Sequence, residues 1–213
     1  MRSRVKKSKK IIYISYLAVL ITLFIIFTIF TLTGKLSSFD KSVYNEINSL
    51  NCDTLFKIIT ELGDVWVILP ISIIAAICIR KKKFLVTIFC ALIGILLFNN
   101  LLKVCILRPR PMDLAIVEEA GFSYPSSHSA VSAWFYLTLA ACLLKETNSK
   151  LPKTLTLILL PIIIISIGVS RIYLGVHYAT DVIAGISFGT IYFLLNEILV
   201  NSKFVTKLLK MDS

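Results

Sequence analysis

Long apolar runs separated by short polar segments make up most of this chain. The first, Ile11 to Thr33, reaches about 34 Å as a helix at 1.5 Å per residue, enough to cross the hydrocarbon core of a bilayer. Further spans are read at Val65 to Ile79, Phe84 to Leu102, Ser129 to Leu144, Thr154 to Val169 and Thr180 to Val200, the shorter ones needing extension at their ends. The pattern predicts an all-α polytopic membrane protein with six transmembrane helices. It is read as one domain over 1–213, with a basic N-terminus at 1–10, a six-helix core at 11–200 and a basic tail at 201–213. The first run is too long for a signal-peptide core and lacks a small-residue cleavage pattern, so it reads as a retained anchor.

Between the spans, Phe39, Val43, Ile47 and Leu50 recur near a helical period and predict a short helix lying on the membrane surface. Gly185 and Gly189 make a small-x-x-x-small pair suited to close helix packing, and Pro161 is placed to bend the fifth span. Trp66, Trp134, Tyr173 and Tyr192 read as interfacial anchors. Cys52, Cys78, Cys90, Cys105 and Cys142 follow no metal or disulfide spacing and read as packing residues, a Cys52 to Cys105 bridge being the weaker reading.

Composition agrees with the pattern: 57% of residues are hydrophobic and the mean hydropathy is +0.85. The net charge of +11 does not mark a nucleic-acid binder, because the basic residues are distributed between spans rather than along one face. They cluster at the N-terminus, at Arg80 to Lys83, around Lys145, Lys150 and Lys153, and at Lys203, Lys207 and Lys210, which marks these segments as cytoplasmic. Both termini then lie inside. Gly34 to Asp64, Lys103 to His128 and Ser170 to Thr180 face the extracytoplasmic side, with Lys103, Arg108, Arg110 and Arg171 running against the charge bias. Cations kept there against the rule point to an anionic ligand.

The chain has two histidines, and each stands in a polar cluster. His177 and Asp181 are four residues apart, so on one helix face the carboxylate can orient the imidazole and leave its other nitrogen as a nucleophile toward phosphorus. His128 follows Ser126 and Ser127, whose hydroxyls and N–H groups suit a helix cap or phosphate oxygens, and it is placed to protonate a leaving oxygen. Lys103, Arg110 and Arg171 supply charge for phosphate. Glu118 and Glu119 read as solvated loop acids, and no metal-ligand cluster or cofactor motif is visible.

These positions resemble the type 2 phosphatidic acid phosphatase family, also called the lipid phosphate phosphatase and haloperoxidase superfamily. Lys103 with six residues before Arg110 and Pro111 matches its first motif, Pro125, Ser126, Ser127 and His128 nearly match the second, and Ser170, Arg171, His177 and Asp181 match the third. Arg108 lies outside the first motif, which reaches Arg110 instead. The resemblance implies that His177 forms a phosphohistidine, Asp181 orients it, His128 protonates the leaving group, and Lys103, Arg110, Arg171, Ser126 and the backbone at Ser127 hold phosphate without a metal. Ser127 stands where the family has glycine: it is harmless if its backbone is ordinary and crowds the cradle if it is not, and retained activity is the expectation because every charged and imidazole position is present.

The expected activity is removal of a terminal phosphate from a membrane lipid phosphate or diphosphate at the outer leaflet, with undecaprenyl diphosphate preferred and phosphatidylglycerophosphate or phosphatidic acid as alternatives. A non-catalytic lipid-phosphate binder or transporter, and a phosphotransferase, are the readings from other classes.

Overall fold

In the computed structural model, which describes residues 2–79, 82–111 and 115–200, the described residues form eight helices and no strand. They are α1 (Arg2–Leu32), α2 (Ser37–Asn48), α3 (Asp53–Glu61), α4 (Val65–Ile79), α5 (Lys82–Ile106), α6 (Ser127–Glu146), α7 (Lys150–Tyr173) and α8 (Ala179–Val200). Arg80, Lys81 and the basic tail expected at 201–213 lie outside the described residues.

Stretches of α1, α5, α6, α7 and α8 are each long and apolar enough to cross a membrane, and α3 with α4 makes a sixth span if the pair is counted as one. The chain is a multi-pass membrane protein. Large apolar side chains such as Ile29, Ile77, Leu97 and Ile165 remain exposed because lipid, unlike water, imposes no penalty on them. This is why the runs carry no polar face.

The second span, read at Val65 to Ile79, is extended by a separate helix set at an angle to it. α3 and α4 meet at 50°, so part of what was read as an outer loop is helical. Gly63 lies in the break, and a Cβ there would stand 2.7 Å from Ile167 and 2.9 Å from Ser132 Oγ, so the bend is pressed against α6 and α7. Tyr136 Oη donates to the Leu62 carbonyl at 2.8 Å and ties α6 to the same break.

α6 forms the centre of the bundle. Ala130, Val131, Ala133, Trp134, Phe135 and Tyr136 are buried together with Ile68, Leu92, Ile95, Ile164 and Ile167 from the surrounding helices. Trp134 is therefore a core residue rather than an interfacial anchor, because bundle neighbours cover it on all sides. Tyr192 is likewise packed edge-on to Trp134 and donates to the Ala91 carbonyl, reaching it over Gly94. Tyr173 stacks on Phe56 and accepts the Cys52 N–H, leaving Trp66 as the exposed member of the four. Cys52 and Cys105 are both free and exposed.

α2 is present as a short helix but is docked, not merely laid on the surface. Val43, Tyr44 and Ile47 pack on Ile172, Ala179 and Val182, while Phe39 and Leu50 are exposed. α1 packs on α8 through Leu17 against Ile191 and Leu194, and Thr28 hydrogen-bonds Tyr124 at 2.7 Å.

The α6 and α8 crossing positions the site. At Gly185 a Cβ would lie 2.5 Å from the Ser126 carbonyl and 2.9 Å from Ser129 Cβ, and at Gly189 it would collide with the Ala130 carbonyl. Backbone contact this close requires the small pair read from the sequence. Replacing Gly189 with leucine is expected to cost about 1–3 kcal/mol through overpacking, seen as a lower midpoint for thermal unfolding in detergent; an unchanged midpoint would show that the helices are not held at this distance.

Candidate active site

Every candidate residue is at a helix end or in a connecting segment at one end of the bundle. Lys103 is in the last turn of α5, His128 in the first turn of α6, Arg171 in the last turn of α7 and Asp181 in the first turn of α8. The helical extension at both ends of the expected spans thus takes in Lys103 and Arg171, which were assigned to outer segments. A backbone bond joins two of the clusters directly: Ser126 N donates to the Asp181 carbonyl at 3.0 Å.

His177 is 1% exposed and lies between a carboxylate and a guanidinium. Its Nδ1 faces Asp181 Oδ2 at 3.5 Å, just beyond a well-formed hydrogen bond, and its Nε2 is 3.2 Å from Arg110 Nη1. Because a guanidinium only donates, Nε2 is the accepting, unprotonated nitrogen and Nδ1 carries the proton toward Asp181. Burial first, then the positive fields of Arg171, Arg110, Lys103 and His128, pushes the His177 pKa well below its ordinary value. The imidazole is neutral at neutral pH.

The arginines are held rigidly. Arg110 donates from Nε to the Gly121 carbonyl at 3.0 Å, from Nη1 to Val176 at 2.9 Å and from Nη2 to Ala120 at 3.0 Å. Arg171 is 3% exposed and donates to Thr60 Oγ1 at 2.9 Å, while its Nε is buried without a partner. Glu119 pairs with Arg171 and stands 3.6 Å from Arg110. It is therefore not a free loop acid: the two buried cations draw it in. Lys103 Nζ donates to the Phe122 carbonyl at 2.5 Å.

Ser126 is fully buried, with its hydroxyl accepting from Ser129 Oγ at 3.1 Å and its N–H committed to Asp181. Ser127 opens α6 with its Oγ accepting from Asn99 Nδ2 at 2.8 Å. Its backbone is not left-handed, so the backbone conformation here does not require glycine. Asn99 stands one turn before Lys103 on α5, a spacing that could have marked it in the sequence had its polar side chain inside an apolar span been weighed.

The residue most undervalued by motif matching is Arg108. It binds Asp181 Oδ1 at 2.5 Å from Nη1 and Asp40 Oδ2 at 2.8 Å from Nη2, and lies over the Tyr178 ring at 4.2 Å. Burial opposes its charge, but Asp181 and Asp40 outweigh that and raise its pKa. Asp181 Oδ2 accepts the Tyr178 N–H at 2.9 Å. A cavity of about 440 Å³ opens beside His177, bounded by Arg108, Pro109, Pro111 and Tyr178 on one side and by Ser37, Asp40, Lys41, Tyr44 and Asn45 of α2 on the other.

A bundle of membrane-spanning helices with a buried, neutral histidine set among arginines and lysine beside a cavity defines a membrane protein built to handle an anionic group. The chain belongs to the PAP2 superfamily, whose model matches residues 84–203. It is 37% identical over 142 residues to phosphatidylglycerophosphatase B of Bacillus subtilis, covering 64% of this chain and 70% of that protein. It is 26% identical over 153 residues to undecaprenyl-diphosphatase of Sulfolobus acidocaldarius, covering 69% of each. Among solved structures, the PAP2-type phosphatidylglycerolphosphate phosphatase of Bacillus subtilis superposes with a TM-score of 0.80 at 28% identity, over 88% of this chain and 98% of that one. LpxE of Aquifex aeolicus superposes with a TM-score of 0.55 at 26% identity, over 74% and 93%. The protein is a PAP2 membrane lipid phosphatase.

With two histidines in the chain, a His128→Gln variant leaves one imidazole to follow by NMR. His177 is expected to stay neutral well below pH 6.5, and Arg171→Gln, by removing a cation, to raise its midpoint. A midpoint at or above 6.5 in the His128→Gln protein would contradict the buried, cation-flanked geometry.

Proposed function

We propose that this phosphatase acts through a phosphohistidine on His177, without a metal, and that phosphatidylglycerophosphate is its preferred substrate. The observation that carries the mechanism is His177 itself: Nε2 unprotonated toward Arg110, Nδ1 toward Asp181. Nε2 attacks phosphorus while His128 gives its proton to the leaving oxygen, and Asp181 stabilises the positive charge that develops on the ring. Water then attacks the phosphohistidine, losing its proton to His128, and the P–N bond breaks to release phosphate. Lys103, Arg110, Arg171 and the N-terminal end of α6, with Ser126 and Ser127, offset the charge of the pentacoordinate state. Entering phosphate takes the arginines from Glu119 and the Arg110 donor from Nε2, freeing the nitrogen to react.

Similarity favours phosphatidylglycerophosphate over the undecaprenyl diphosphate preferred from the sequence, because the 37% identical relative and the 0.80 structural match both carry the former activity in their names. The cavity supports a lipid with a second phosphoryl group. Its other cation, Arg108, is already matched by Asp40 and Asp181, whereas Lys41 makes no ion pair among the described residues and is available for that group. Phosphatidic acid offers no such partner.

The charge pattern supports cytoplasmic termini and an extracytoplasmic site in a cell membrane, with residues 1–213 acting as one unit. Nucleic acid is not a partner in this reading.

Phosphate release from purified protein in detergent, with chelator present, is expected to require His177 and to be lost in His177→Ala with the fold retained. Turnover by that variant would reject the nucleophile, and loss of wild-type turnover to chelator would reject metal independence. Lys41→Ala is expected to raise KM about two- to fivefold for phosphatidylglycerophosphate and little for phosphatidic acid, the loss being that of one exposed ion pair; equal effects on both lipids would remove Lys41 from substrate selection.

A further inference from the structure

We propose that Asp40, on α2 and outside the segment matched by the family model, is a positioning residue for the reaction that acts through Arg108 on Asp181. The proposal rests on His177 being the nucleophile. Asp40 is 4% exposed and spends its acceptors on the start of α8 and on Arg108: it accepts from Thr180 N, Thr180 Oγ1 and Arg108 Nη2, each at 2.8 Å. Arg108 reaches on from Nη1 to Thr180 Oγ1 at 2.7 Å and Asp181 Oδ1 at 2.5 Å. One guanidinium thus bridges two buried carboxylates.

The bridge has a chemical consequence. A guanidinium fork facing a single carboxylate closes on both of its oxygens. Asp40 occupies Nη2, so Arg108 holds Asp181 by Oδ1 alone and leaves Oδ2 turned to the Tyr178 N–H and to His177 Nδ1. Asp40 also takes up part of the Arg108 charge, which would otherwise fall wholly on Asp181 and weaken its support for a charged imidazole. Removing Asp40 lets Arg108 draw both Asp181 oxygens away from the histidine. Docking α2 alone does not account for this arrangement, since Val43, Tyr44 and Ile47 already supply an apolar contact with α7 and α8.

Asp40 borders the cavity as well, so a substrate contact and a positioning role must be told apart. Asp40→Asn keeps an oxygen for the Thr180 N–H and loses the charge toward Arg108. Measured with phosphatidylglycerophosphate in detergent, it is expected to lower kcat at least about tenfold with KM within about threefold, and to cause no further loss when added to Arg108→Gln. A raised KM with kcat unchanged, an unchanged kcat, or an equal loss in both backgrounds would overturn the proposal. Arg108→Lys keeps the charge but not the fork, and it must also lower kcat in folded protein even if Asp40→Asn does not fold; wild-type kcat there would overturn the bridge. His177→Ala is assayed alongside, and turnover by it would overturn the underlying reading without involving Asp40.

Discussion

The close crossing of α6 and α8 is the contact on which the site depends. Two glycines one turn apart allow the α8 backbone to lie against Ser126, Ser129 and Ala130, and this brings the N-terminal ends of both helices to one place. The Ser126 N–H to Asp181 carbonyl bond fixes their register. His128 and Asp181, fifty-three residues apart in the chain (181 − 128), share a site because of that crossing. In lipid, where apolar burial gives little drive for helix association, such close backbone contact is the available source of packing energy.

Around this crossing the charges are arranged in matched sets. Arg108 lies between Asp40 and Asp181, while Arg110 and Arg171 share Glu119. Buried ions of this kind are costly to desolvate, and removing one partner leaves another exposed to the full cost. The pairing therefore keeps several cations at the end of an apolar bundle while His177, flanked by them and deprived of water, stays neutral.

Much of this was legible in the sequence because hydropathy and short motif spacing are local. The spans, the two histidines and the four-residue spacings of His177 with Asp181 and of Gly185 with Gly189 all lie within short stretches of chain, although His177 stands in the segment before α8 and not on one helix face with Asp181 as expected. What could not be read depends on contacts between distant segments. Trp134 and Tyr192 look like interface residues until the bundle closes over them, and Glu119 looks like a loop acid until Arg110 and Arg171 are placed beside it. Arg108 was set aside because a motif counts positions along the chain, whereas its partners are Asp40 and Asp181, 68 and 73 residues away. The bend at Gly63 and Asp64 was legible only in part: the Gly-Asp pair is a turn signal, with Asp64 Oδ1 accepting the Trp66 N–H, but the closeness of Ile167 and Ser132 to Gly63 comes from distant segments.

With the Glu119 carboxylate already seated on Arg171 and near Arg110, the resting site presents these two arginines partly neutralised, while Lys103 is met by the Phe122 carbonyl alone. Ligand binding is then an exchange of one anion for another, and the number of cations overstates how strongly the site attracts anions from a distance. Added salt screens unpaired charge most. An enzyme whose arginines are neutralised from within should tolerate changes in ionic strength better than its basic composition suggests.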